Sequence, residues 1–258
     1  MQIGKLYLRC FDISWDQDAK APVKKGKLVE FPGRLVTKEI IPVVFIGNKV
    51  FQQLKLEEID HMATMSYLHL RQSITDLIKV EEHRYYEDFD HNENTPYRQK
   101  SKDFGELDQK EREFKKQYDD TIKEIQFDCD WTETSKDKYF TFLKKMKQLF
   151  AGKTISCTIR LYPFKYPQTA GVPPVDRGML MCYNSGDIKD IKTVNSIFNK
   201  REVLSYLDGK EYPLPLDAVL PVFSWALLYR GNKLENILSI DELQGYYKEY
   251  LKKTGEKL

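Results

Sequence analysis

The chain has 258 residues, with 41 Lys+Arg against 39 Asp+Glu and a net charge of +2. An apolar fraction of 41%, with 14 Phe, 16 Tyr and 3 Trp, excludes a disordered chain and is ample for a buried core in one domain spanning 1–258. Balanced charge offers no basic face for nucleic acid, no apolar run approaches the roughly 18–20 residues that span a bilayer, and four cysteines make no disulfide framework.

The chain opens Met1-Gln2-Ile3-Gly4-Lys5 and passes directly into Leu6-Tyr7-Leu8-Arg9-Cys10-Phe11-Asp12, which reads as a strand with no secretory leader before it. The expectation is a cytoplasmic protein, or a chain beginning inside a longer one whose missing targeting segment would send it to the cell envelope. Six short segments rich in β-branched and aromatic residues predict strands at 6–12, 40–46, 125–130, 154–162, 179–183 and 219–225. Several are almost continuously apolar, as in strands of a parallel sheet covered on both faces. Pro42, lacking an N–H, predicts an irregular start or an edge position for the second.

A helical period runs from 59 to 80, on Ile59, Met62, Met65, Leu68, Ile74, Leu77 and Ile78. Residues 81–120 differ in kind: 21 of these 40 are charged, 13 acidic and 8 basic, which reads as a solvated helical hairpin or insertion. At 136–150 a second helix places Phe142, Leu143, Met146, Leu149 and Phe150 on one stripe, with Ser135 at its N-cap and Gly152 beyond its end. Strand 125–130, this helix and strand 154–162 predict a βαβ unit with parallel strands. Six strands with helical crossovers, and no G-x-G-x-x-G after any of them, favour an α/β fold of (β/α)-barrel type, incomplete or irregular, over a doubly wound open sheet.

Familiar catalytic motifs are absent. Ala151-Gly152-Lys153-Thr154 imitates the end of a phosphate-binding loop, but Lys147 stands where the first glycine belongs and a strand follows instead of a helix. There is no G-x-S-x-G and no C-x-x-C. Cys10, Cys129, Cys157 and Cys182 fall in predicted strands and read as buried thiols, while His61, His69, His83 and His91 form no i,i+4 pair. No metal and no cofactor are expected.

What remains is Gln126-Phe127-Asp128-Cys129-Asp130-Trp131. Strand alternation places Gln126, Asp128 and Asp130 on one face at the C-terminal end, which is the active-site rim of a (β/α)-barrel. Two adjacent carboxylates there should raise one pKa and make a general acid; the structural alternative is a loop-capping Asp130 with Asp128 paired to an arginine such as Arg160. Asp12, Tyr162, Tyr183-Asn184 and Ser224-Trp225 end other strands, so five of six finish on polar or aromatic residues. Acidic groups, amides and aromatic rings in one cleft suit sugar recognition.

Phe127-Asp128-Cys129-Asp130-Trp131 resembles the D-x-x-D-x-D-x-E strand motif of family-18-type glycoside hydrolases, with Asp128 and Asp130 on its last two aspartates. The catalytic glutamate then falls on Thr132 and the first aspartate on Ile125, which speaks against that family's substrate-assisted mechanism. A closer resemblance, over about 125–230, is to an uncharacterised group of bacterial glycoside-hydrolase-like TIM-barrel proteins. It is carried by Gln126–Trp131, Thr158-Ile159-Arg160-Leu161, Val172-Pro173-Pro174-Val175-Asp176-Arg177-Gly178 and Tyr212-Pro213-Leu214-Pro215-Leu216-Asp217. The resemblance implies a barrel and a cleft but no reaction, and its members extend beyond both ends of this chain, implying truncation or divergence.

The resulting expectation is glycosidic hydrolysis, with Asp130 as proton donor held by Asp128, and Asp12 as base or stabilising carboxylate. Trp131, Arg160, Tyr162, Tyr183, Asn184 and Trp225 are the expected substrate-binding residues. The alternative is a non-catalytic glycan-binding or interaction protein on a degenerate hydrolase scaffold.

Overall fold

The computed structural model describes residues 4–26, 39–90 and 122–254. Its frame is a seven-stranded sheet of β1 (Lys5–Asp16), β2 (Ala21–Lys25), β3 (Glu39–Ile46), β4 (Glu124–Asp128), β5 (Thr154–Arg160), β6 (Arg177–Met181) and β7 (Leu216–Val219), ordered β2-β1-β3-β4-β5-β6-β7. Only β2 runs antiparallel, as the second arm of a hairpin with β1; every other neighbouring pair is parallel. The six parallel strands follow one another in chain order, so the strand order never reverses and the sheet lacks the switch point of a doubly wound fold.

Five of the six expected strands are present; of the sixth, 219–225, only Val219 lies in a strand. Val219 ends β7 instead of beginning a strand, because Pro213 and Pro215 leave Leu216 as the first residue able to alternate, and Pro221 stops the ladder. Pro42 is not on an edge: β3 lies between β1 and β4. Its missing N–H is tolerated because the ladder to β4 begins one residue later, at Val43.

Helices cover one face of the sheet. After β3 come α1 (Asn48–Gln53), a 3-10 turn (Leu56–Glu58) and α2 (Ile59–Asp90). The buried stripe of α2 differs from the predicted one. Ile59, Met62, Ala63, Ser66, Leu70 and Ile74 turn inward, whereas Met65 and Leu68 are exposed. Small Ala63 and Ser66 belong to the buried stripe, and the Ser66 hydroxyl donates to the Met62 carbonyl of its own helix at 2.7 Å. The expected insertion at 81–120 lies outside the described residues from 91 onward; 81–90 continue α2.

The βαβ unit forms as read. Helix α3 (Lys136–Leu149) buries Tyr139, Phe142, Leu143 and Met146, and Phe142 meets Phe127 of β4 edge-on at 5.3 Å. The Tyr139 hydroxyl donates to the Phe127 carbonyl at 3.2 Å, fastening helix to strand. Ser135 stands at the N-cap but caps nothing: its hydroxyl donates to Asn48 Oδ1 at 2.5 Å and accepts from the Thr132 N–H. Gly152, at φ +88°, takes the left-handed turn into β5.

Short helices α4 (Leu161–Lys165) and α5 (Pro167–Ala170) lead to β6, and α6 (Lys200–Leu207) leads to β7. A separate two-stranded sheet, β8 (Ala226–Arg230) and β9 (Lys233–Leu238), turns on Gly231-Asn232 and precedes α7 (Ile240–Thr254). There Ser239 and Glu242 each accept from the other's backbone N–H, a reciprocal N-terminal cap. Among the described residues no helix is long and apolar enough to cross a membrane.

Candidate functional site

The face of the sheet opposite α3 carries polar side chains at regular intervals. Alternation in β4 turns Phe127 toward α3 and sends Glu124, Gln126 and Asp128 to the other side. Gln126, Ser156 and Thr158 are almost wholly buried there, unlike the aliphatic layers that usually fill a parallel barrel.

Strand β1 reaches the same face through an irregularity. Arg9 pairs with Val43 and Phe11 with Val44, so Cys10 is an extra residue. In a regular strand Arg9 and Asp12, three apart, would point to opposite faces. The bulge returns Asp12 to the face of Arg9, where the guanidinium grips the carboxylate with two hydrogen bonds of 2.5 and 2.7 Å and lies over the Phe45 ring at 4.4 Å.

At the C-terminal ends of the strands the carboxylates gather. Asp12 and Asp128 both stand opposite Phe45 in the ladders, one on each side. Asp128 is only partly accessible and accepts from the Thr158 hydroxyl at 2.6 Å. Desolvation raises its pKa above the usual carboxylate range; the Asp130 and Asp12 charges add to this, opposed by the Thr158 hydrogen bond and by Arg9. Asp130 is about half exposed and lies 3.2 Å from Arg160, whose guanidinium also donates to the Trp131 carbonyl at 3.0 Å.

Beside them opens a cleft of ≈ 420 Å³ whose lining includes Asp130, Arg160, Tyr162, Tyr183, Asn184 and Tyr206. Burial, with the charges of Asp128 and Asp130, pushes the Tyr183 phenol upward, so it stays a neutral hydrogen-bonding group. Asn184 holds φ +54°, a left-handed conformation that asparagine tolerates better than most residues. It is fixed by a 2.6 Å hydrogen bond from its N–H to the Ile197 carbonyl. Residues 185–199 fold back over this bond, so the loop that shapes the wall is tied to itself.

Of the residues expected from the sequence, Asp130, Arg160, Tyr162, Tyr183 and Asn184 line one cleft; Asp128 stands behind the lining, close enough for its charge to act on Tyr183, and Asp12 is further off, on the other side of Phe45. Trp225 sits outside the lining, linked to it through Phe223, which touches both Tyr183 and Trp225; its indole N–H donates to Ser196. Trp131 is a correction. It is 2% exposed, stacks on Tyr139 at 5.6 Å and donates its indole N–H to the Ala170 carbonyl. The strand ends at Asp128, so alternation no longer governs Trp131, and the chain folds it under α5 instead of presenting it to a ligand. The roles within the pair also change: Asp128 is the carboxyl withdrawn from water, and Asp130 is the one met by Arg160.

Sequence reasoning missed Arg9, Met181, Ser185 and Tyr206. Only Arg9 carried a signal, a cation near the end of a strand, and its spacing from Asp12 hid the pairing. All four cysteines are free and buried, with Cys10 pushed up to about 11 by burial. Among the described residues no group of three or more His, Cys, Asp or Glu is placed to hold a metal ion. Comparison with protein-family models, with curated proteins and with solved structures returned no match to this chain.

Proposed function

We propose that this chain is a glycoside-hydrolase-like protein that receives a glycan at the C-terminal ends of its parallel strands and cleaves a glycosidic bond there. The observation that carries the reading is one row of carboxylates on a single sheet face: Asp12 of β1 and Asp128 of β4 on either side of Phe45, and Asp130, just past β4, in the wall of a tyrosine-lined cleft. Asp128, whose pKa desolvation raises above the usual carboxylate range, is the carboxyl of the three best suited to pass a proton to a leaving oxygen. Asp12 is its partner carboxylate. The two flank Phe45 in one row, roughly 10 Å apart at Cα by strand spacing, which favours the wider separation of inverting enzymes over the close pair of retaining ones. The Asp130–Arg160 pair presents an acceptor and donors to sugar hydroxyls.

Within this reading the sheet is the parallel part of an incomplete (β/α)-barrel with an insertion at 81–120. Consecutive strand order supports it, and so does curvature. Tyr7 of β1 is pushed up to about 12 chiefly by burial and the Glu124 charge, with Asp217 of β7 contributing. In a flat sheet β1 and β7 would be roughly 24 Å apart at about 4.8 Å per strand.

The test is turnover on a broad glycan panel by the wild type and by Asp128→Asn. Hydrolysis that disappears in the variant, with an unchanged melting temperature, is the expected result. Hydrolysis that survives would remove Asp128 from the chemistry.

A second reading, non-catalytic glycan binding on the same scaffold, is favoured by one observation: Arg9 and Arg160 already occupy Asp12 and Asp130, the two carboxylates beside Asp128. Binding without turnover on the same panel decides for it.

A further inference from the structure

Exposed aromatic rings are concentrated on the side of the cleft away from Asp12. Tyr162 and Tyr166, after β5, are 52% and 43% exposed, with ring centroids 5.0 Å apart. Tyr183 follows β6. Phe223, after β7, is 46% exposed and meets Tyr183 at 5.8 Å and Trp225 at 5.5 Å. Asp12 stands near the end of the parallel β1–β3 ladder and Asp128 ends β4, so the aromatic groups continue the same rim, strand by strand, in the order β5, β6, β7.

Tyr166 and Trp225, toward the two ends of this surface, are tethered. Lys165 donates to the Ser205 carbonyl at 3.0 Å and lies over the rings of Tyr166 and Tyr206 at 5.7 and 4.9 Å, tying α4 to α6. Trp225 is anchored through its indole N–H to Ser196 at 3.0 Å. Rigid, amphipathic rings standing in water are poor neighbours for solvent and good ones for the apolar face of a pyranose, which brings C–H groups to the ring and leaves its hydroxyls to the polar groups between. Arg160, Asn184 and Ser185 supply those groups within the cleft.

We infer that the ligand is an elongated oligosaccharide, one end over Asp128 and Asp130 and its further units laid along the rim on Tyr162–Tyr166 and Tyr183–Phe223. The inference rests on the glycan reading and extends it to chain length. A monosaccharide seated in the cleft would leave Tyr166 and Phe223, which lie outside its lining, unused. Strand ends are spaced about 4.8 Å apart, so the span from β4 to β7 exceeds one sugar ring.

Titration calorimetry of the full chain against matched disaccharides and hexasaccharides of cellulose, chitin, xylan and starch type tests this. For any backbone that binds, the hexasaccharide is expected to bind more tightly than the disaccharide. Tyr166→Ala and Phe223→Ala should each weaken the hexasaccharide roughly fivefold and leave the disaccharide unchanged. Both side chains are substantially exposed, and melting curves of the variants check their folding. Equal affinity for short and long ligands, or indifference of the hexasaccharide to both substitutions, overturns the inference while the glycan reading stands. Absence of binding by every glycan overturns both.

Discussion

Asp12 and Asp128 flank a single residue, Phe45, in neighbouring parallel ladders. The bulge at Cys10 gives this row its chemistry, because it brings Asp12 to the face that Asp128 already occupies by ordinary alternation. Arg9 then holds Asp12 at one end of the row, and Thr158 holds Asp128 at the other.

Asp128→Asn should not cost stability near neutral pH. Burial raises the folded-state pKa of Asp128, so between the unfolded value and the raised one the native state binds more protons than the unfolded chain. Wild-type stability through this group is greatest below the unfolded carboxylate pKa and declines as pH rises through that window. The amide carries no such dependence and still accepts from Thr158. Melting temperatures of the variant relative to wild type should therefore improve from acid to neutral pH, as thermal scans would read; the reverse trend removes the desolvation argument.

Thr158→Val keeps the shape of a nearly buried side chain and deletes the hydrogen bond to Asp128. The cost should be about 1 kcal/mol. Because that bond lowers the Asp128 pKa, its loss raises it further, and the basic limb of a pH–activity profile should move to higher pH. An unmoved limb would mean that Asp128 is not the titrating acid.

Trp131→Phe should destabilise the fold without touching ligand binding. The substitution leaves the Ala170 carbonyl without its donor and loosens the stack on Tyr139, for about 1–3 kcal/mol. Chemical denaturation measures the loss, and glycan affinity of the folded variant measures the role; weakened affinity would restore Trp131 to the site.

Gly178→Ala tests the order of the sheet. A Cβ at this position in β6 would stand 2.3 Å from Ile159 Cδ1 and 2.7 Å from Leu216 Cδ2, contacts from the strands on either side. Both side chains must move, at about 1–3 kcal/mol. A neutral denaturation midpoint would argue against the β5-β6-β7 arrangement.

If Asp12 and Asp128 are the working pair, the product of hydrolysis should emerge with inverted configuration. Following the anomeric proton by NMR before mutarotation distinguishes this from retention, which would require a nearer carboxylate than Asp12.

Much of the fold was legible in local pattern. Period 2 placed Gln126 and Asp128 on one face; period 3.6 found α3; and the pair of them implied a parallel β4–β5 ladder. The hairpin of β8 and β9 was missed although Gly231-Asn232 marked its turn, because its strands are only partly buried and alternate weakly. In α2 the large apolar residues point to Met65 and Leu68, whereas the buried positions include the small Ala63 and Ser66.

The sequence by itself determined five of the parallel strands, which face Asp128 takes and that polar groups crowd the strand ends, because backbone alternation is a property of a few adjacent residues. Only the tertiary structure decided that Cys10 is an extra residue, that Arg9 therefore grips Asp12, that Asp128 and not Asp130 is the desolvated carboxyl, and that Trp131 belongs to the core. Those outcomes depend on register and burial, which are set by partners dozens of residues away and leave no trace in local spacing.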